Sequence, residues 1–257
     1  MILHEFGDKS NPIVILIHGV LTPWQMWEKQ IEYFSDRYFV IVPALDAHVE
    51  EEPSEYISAD EEAEKISEYV LNNYGKDVFL LSGLSMGGVV ANKIFETGKL
   101  LVHHLVFDGA PLVSAPKFMV SIMTKNYISI IHGSKKREKK VLDNFVKYFL
   151  PEKYLRSFLK FADTMSDESV KNIVKSACRC RMLKAVNTDT KILFLHGTKA
   201  NELFAKKAAK KIARIYTDAT VEVFKGYAHG ELAIYHPEEW CAIVDCFTSQ
   251  RRWDNEE

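Results

Sequence analysis

Short runs of continuous apolar residues, bounded by Gly, Pro, Asp or Ser, recur along the chain and alternate with longer segments of helical periodicity. The strand candidates are Ile13 to Ile17, Phe39 to Val42, Val78 to Leu81, His104 to Phe107, Ile192 to Leu195 and Val221 to Phe224. Strands apolar on both faces belong to parallel sheets covered by helices on each side. The helix candidates between them are Trp24 to Phe34, Asp60 to Asn73, Met86 to Thr97, Ala205 to Ile215 and Pro237 to Thr248. The pattern predicts an α/β protein with a mostly parallel sheet flanked by helices.

One interval breaks the alternation. From Val113 to Asn187 strand patterning stops and amphipathic helical spacing takes over, which predicts a helical cap inserted at 113–187 into a core made of 1–112 and 188–257. At 257 residues the chain accommodates one large α/β domain with such an insertion. The interval holds 16 Lys and Arg against 6 Asp and Glu, so a +10 cap faces a −12 remainder within a net charge of −2. Part of the opposing acidity lies between Glu50 and Glu64. The cluster Lys135, Lys136, Arg137, Lys139 and Lys140 reads as a solvated turn, or as a positive lip for anionic substrates or a membrane surface.

The near-zero overall charge argues against nucleic acid as a partner. The first residues lack a basic stretch leading into a long apolar one, and no apolar run approaches the roughly 20 residues of a transmembrane helix. These features predict a cytoplasmic protein without a transmembrane segment. Four cysteines at these spacings form neither a disulfide framework nor a zinc site, so buried thiols and no metal are expected.

The candidate chemistry centres on Gly83-Leu84-Ser85-Met86-Gly87, directly after one strand candidate and directly before a helix candidate. A serine on so sharp a turn needs small residues two positions to either side, and the following helix N-terminus supplies N–H groups to a developing anion. His229, on a Gly-flanked loop after the last strand candidate, is the candidate base. Serine becomes a competent nucleophile when an imidazole takes its proton and later returns it to the leaving group.

This elbow, together with His18-Gly19-Val20, the Pro43 to His48 loop and Lys225 to Gly230, resembles the α/β-hydrolase family over almost the whole chain. The resemblance implies a small carboxylesterase-like or lipase-like serine hydrolase with no cofactor. It also implies an oxyanion hole built from the backbone N–H groups of Val20 and Met86, with His18 structural. The family's usual acid position, three residues after Gly197, is occupied by Ala200. Three arrangements stay open: Asp108 as the acid, Glu202 as the acid, or a serine–histidine pair without a carboxylate. Asp108 also reads as a loop-opening residue before Gly109.

The expected substrate is a small ester, anionic or lipid-like if the basic cap bears on it. Thioester, amide and acyl-transfer chemistry, monoacylglycerol and carbon–carbon bond hydrolysis, and ligand binding with little turnover are alternatives on the same fold. Dehalogenase and epoxide-hydrolase chemistry is disfavoured because Ser85 stands where those enzymes carry their aspartate nucleophile. Phe118, Met119, Met123, Tyr127, Phe145, Phe149, Tyr154, Phe158 and Phe161 are candidates to pack the cap helices or to line a substrate pocket. Trp24 and Trp27 would wall the cleft or pack a helix start.

Overall fold

The computed structural model describes residues 1–180 and 189–249. Seven strands form one sheet: β1 (Ile2–Phe6), β2 (Ile13–Ile17), β3 (Phe39–Ala44), β4 (Asp77–Leu84), β5 (Leu101–Asp108), β6 (Lys191–Gly197) and β7 (Thr220–Phe224). Their spatial order is β1-β3-β2-β4-β5-β6-β7, with β1 antiparallel to β3 and every other pairing parallel. All six strand candidates are present. The sequence reading missed β1, an edge strand whose five residues are each half-buried and whose apolar positions are interrupted by His4 and Glu5.

The helices are α1 (Glu28–Phe34), α2 (Ala59–Tyr74), α3 (Met86–Thr97), α4 (Lys117–Lys135), α5 (Lys139–Tyr148), α6 (Leu155–Thr164), α7 (Asp167–Arg179), α8 (Leu203–Ile215), α9 (Glu231–Tyr235) and α10 (Pro237–Thr248). Strands β2 and β3 are buried at every position, as a sheet covered on both faces requires. The first helix candidate divides into a 3₁₀ turn at Trp24–Trp27 and α1. Trp27 packs against Trp240 and Trp24 stacks on His4, so both tryptophans serve packing and neither lines the cleft.

Helices α4 to α7 fill the interval between β5 and β6, where the cap was expected. Its expected end at Asn187 lies outside the described residues. Phe145 and Phe158 stack, and Phe161 meets Phe158 edge-on, forming the buried seam of this helical group. The group is tied to the core by polar contacts with the acidic stretch after β3. Lys160 pairs with Glu50 at 2.9 Å, and Ser166 and Ser169 donate to Glu55 at 2.6 and 2.5 Å. The four cysteines are unpaired, three of them buried. Among the described residues no helix is long and apolar enough to cross a membrane.

Candidate active site

Parallel pairing brings the carboxyl ends of β2, β4, β5, β6 and β7 to one edge of the sheet. Ile17 is level with Gly83, Leu84 with Asp108, Asp108 with Leu195, and Gly197 with Phe224. The residues that follow these ends are the candidate chemistry.

Ser85 joins β4 to α3 with φ 52° and ψ −112°, a strained conformation for a residue with a side chain. Its N–H donates to the carbonyl of Asp108 at 2.8 Å, which anchors the elbow to the neighbouring strand. A Cβ on Gly83 would fall 2.3 Å from the backbone of Gly87, and one on Gly87 would fall 2.2 Å from the carbonyl oxygen of Ile17. The glycine spacing read from the sequence is therefore a requirement of close backbone packing.

His229 Nε2 lies 2.7 Å from Ser85 Oγ. Two loops hold the imidazole there. The N–H groups of Thr198 and Lys199 both donate to the carbonyl of Tyr227, Gly226 N–H donates to Thr198 Oγ1, and His229 N–H donates to Asn201 Oδ1.

On its other side, Nδ1 of His229 is 3.3 Å from Glu202 Oε1. Glu202 is almost fully buried and closes a 3₁₀ turn, Ala200–Glu202, just before α8. That turn carries the carboxylate back beneath the ring, two residues beyond the position that Ala200 leaves without an acid. Gly109 leaves room for this approach, because a Cβ there would sit 2.8 Å from the His229 ring, and its φ of +61° suits glycine.

Asp108, the other candidate acid, ends β5 fully buried, with Oδ2 lacking a hydrogen-bond partner. No ion pair joins it to His229. The structure thus brings Glu202 rather than Asp108 to the ring. Burial, together with the negative charge of Glu202, pushes the Asp108 carboxyl up to about 7. Burial works against protonation of His229, and the carboxylates of Glu202 and then Asp108 outweigh it, holding the imidazole above its ordinary pKa.

The loop after β2 completes the edge. His18 and His48 are fully buried, and each ring accepts a backbone N–H at Nε2, from Leu45 and Leu21 respectively. An N–H can only donate, so both rings carry their proton on Nδ1 and give it to the carbonyls of Gly19 and Asp46. Burial, with His48 alongside, pushes His18 down to about 3, and burial pushes His48 down to about 4. The expectation of a structural His18 agrees with these contacts. His48, a partner that the sequence pattern did not single out, fixes the same loop through Leu21. Val20 and the elbow line one cleft, and among the described residues no protein group accepts the N–H of Val20 or Met86.

The cleft above Ser85 has a volume of about 460 Å³. Its walls include Leu84, Pro111, Met119, Met123, Tyr127, Phe149, Ile173, Val174, Phe204 and Ile234, and among the described residues no Lys, Arg, Asp or Glu lines it. Of the aromatic and methionine candidates, Met119, Met123, Tyr127 and Phe149 line the cleft, whereas Phe145, Tyr154, Phe158 and Phe161 are buried in packing and Phe118 is exposed. Among the described residues no group of three or more His, Cys, Asp or Glu is placed to hold a metal ion.

Comparison with known proteins places these features in a family. Residues 12–230 match the family model described as the alpha/beta hydrolase fold. A protein from Desulfitobacterium hafniense described as of the alpha/beta hydrolase family superposes with a TM-score of 0.76 at 21% identity, covering 95% of this chain and 98% of that one. An esterase from Exiguobacterium antarcticum superposes with a TM-score of 0.74 at 18% identity, covering 96% and 94%. Among curated sequences, epoxide hydrolase 3 of Xenopus tropicalis is 26% identical over an alignment of 117 positions, covering 42% of this chain and 30% of that protein. With its elbow, its sheet order and a family match over most of its length, the chain belongs to the α/β-hydrolase family.

Proposed function

We propose that this hydrolase cleaves carboxylic esters through an acyl-enzyme, with Ser85 as nucleophile, His229 as base and Glu202 as the acid. The observation that carries the reading is the continuous line from Ser85 Oγ through the imidazole, 2.7 Å on one side and 3.3 Å to Glu202 on the other. Ser85 Oγ attacks the ester carbonyl as its proton passes to Nε2. Glu202 stabilises the imidazolium, and the N–H groups of Val20 and Met86 receive the oxyanion. Nε2 then protonates the departing alkoxide, and a water activated by the same imidazole releases the acid.

The cleft walls, uncharged among the described residues, support an apolar acyl or alcohol group. Helices α4 to α7 supply much of this wall and act as the cap. Epoxide opening has no comparable support, because a serine with a hydrogen-bonded imidazole suits acyl transfer. The test is Ser85→Ala, assayed on p-nitrophenyl butyrate and with a fluorophosphonate probe. The expected outcome is loss of turnover by at least about a thousand-fold and loss of labelling. Undiminished turnover overturns the reading, and a wild-type protein that resists the probe marks a ligand binder instead.

A further inference from the structure

Among the described residues the cleft walls carry no Lys, Arg, Asp or Glu, so the basic side chains of α4 to α7 lie outside it. Part of the +10 charge of the inserted interval is neutralised against the core, as in the pair Lys160–Glu50. Helices α4 and α5 together carry +5 of it. Helix α4 contains no Asp or Glu, and the one acidic residue within α5, Asp143, is paired with Lys139 at 2.7 Å.

Helix α4 turns two adjoining stripes in different directions. Met119, Met123 and Tyr127, spaced four apart, line the cleft. Phe118 and Ile122, one position earlier in the same spacing, are 65% and 62% exposed, and Lys117 and Lys125 flank them in solvent. On α5, Tyr148 lines the cleft and is also 65% exposed, which puts it at the mouth, and Lys147 Nζ lies 5.0 Å from its ring centre. Three large apolar side chains in water stand among lysines with no carboxylate partner among the described residues, a costly surface for a freely dissolved protein. Aromatic and aliphatic tips set among lysines match the acyl boundary and the phosphates of an anionic bilayer.

We propose that this edge of the cap, Phe118, Ile122 and Tyr148 set among Lys117, Lys125 and Lys147, seats on an anionic lipid surface and opens the cleft toward it. The apolar residues enter the acyl boundary and the lysines meet the phosphates. The cleft mouth then takes its apolar ester from the lipid phase, a consequence that rests on the ester-hydrolase reading; the seating itself does not.

The experiment is flotation of the full chain with unilamellar vesicles of phosphatidylcholine alone, or of phosphatidylcholine with 30% phosphatidylglycerol. Binding to the anionic vesicles is expected to exceed binding to neutral ones by at least about tenfold and to weaken in 0.5 M salt. Lys117→Ala with Lys125→Ala is expected to lower the partition roughly thirty-fold, from the usual contribution of a lysine near such a surface. Phe118→Ser with Ile122→Ser is expected to lose retention. Both pairs lie outside the cleft wall and keep turnover of soluble p-nitrophenyl butyrate, which verifies folding. Equal binding to both vesicles, no binding, or binding indifferent to both pairs overturns the proposal. So does capture by polyglutamate with neither vesicle bound, which marks a site for an acidic protein. If vesicles are bound while Ser85→Ala keeps full turnover, the catalytic reading fails and the surface stands.

Discussion

Replacing Glu202 with glutamine removes one negative charge 3.3 Å from His229 Nδ1 while keeping the size and an acceptor oxygen of the side chain. In an environment of effective dielectric about 20, a unit pair at that separation is worth about 5 kcal/mol. Two features reduce the loss: removing the Glu202 charge, which raises the Asp108 carboxyl, lets Asp108 ionise more readily and supply negative potential to the imidazole, and about a third of the His229 side chain (30%) faces the open cleft, where water screens it. A penalty of about 3 to 4 kcal/mol on the transition state remains, a fall in kcat/KM of about a hundred-fold to a thousand-fold. Asp108→Asn, at a site with no ion pair to the ring, is expected to cost less than about tenfold. The assay is kcat/KM on p-nitrophenyl butyrate between pH 5 and 9. In Glu202→Gln the acidic limb of the profile should also move to lower pH, because a carboxylate that raises the imidazole pKa has gone. A large loss in Asp108→Asn with a small one in Glu202→Gln refutes the assignment, and small losses in both leave the imidazole without an essential carboxylate.

Gly109→Ala places a methyl group 2.8 Å from the His229 ring at a backbone φ of +61°, so turnover should fall by more than about a hundred-fold, while near-ultraviolet circular dichroism shows the fold retained. Asp108 holds its proton to about pH 7 when folded and releases it near pH 4 when unfolded, so its contribution to stability is fully present below about pH 4 and is lost as pH rises toward 7. Thermal unfolding should therefore show Asp108→Asn gaining on the parent by several degrees between pH 5 and pH 8, and a pH-independent difference counts against a raised carboxyl. Met123→Trp fills part of the cleft of about 460 Å³, so kcat/KM for a p-nitrophenyl octanoate should fall at least tenfold relative to the butyrate. Equal effects on the two esters would place the acyl chain elsewhere.

Strands β2 and β3 were legible because both faces are apolar and buried, β7 by its Val221 and Val223 although only its Phe224 is buried, and Ser85 and His229 because each sits on a loop between a strand and a helix that glycine makes possible. Glu202 was legible only as a candidate. Its access to the ring depends on the 3₁₀ turn at Ala200–Glu202 and on hydrogen bonds to Tyr227 from a loop about 28 residues away in sequence, neither of which has a short-range signature. Asp108 drew attention as the last residue of a strand, yet the same position buries it behind Gly109 and leaves Oδ2 without a partner. The five-residue β1 and α9 are too short to show a period, and Trp24 and Trp27 found aromatic partners distant in sequence.

Charge illustrates the same division between what a sequence counts and what a fold arranges. A sum over Val113 to Asn187 gives +10, but the sum does not say which lysines meet carboxylates. In the fold, Lys160 and Lys153 meet Glu50 and Glu28 of the core, so part of the apparent polarity becomes attachment of the inserted helices to the sheet domain. Lys117, Lys125 and Lys147 instead stand beside exposed apolar side chains, next to a cleft whose walls are uncharged among the described residues. A basic entrance around a neutral pocket separates two tasks. On the proposed seating, the charge would govern where the protein sits and the apolar volume what reaches Ser85. Among the described residues no Lys or Arg lines the cleft, so a substrate anionic at its acyl end would bury its charge there without a described cation to meet it, and on the proposed seating recognition of negative charge belongs to the rim.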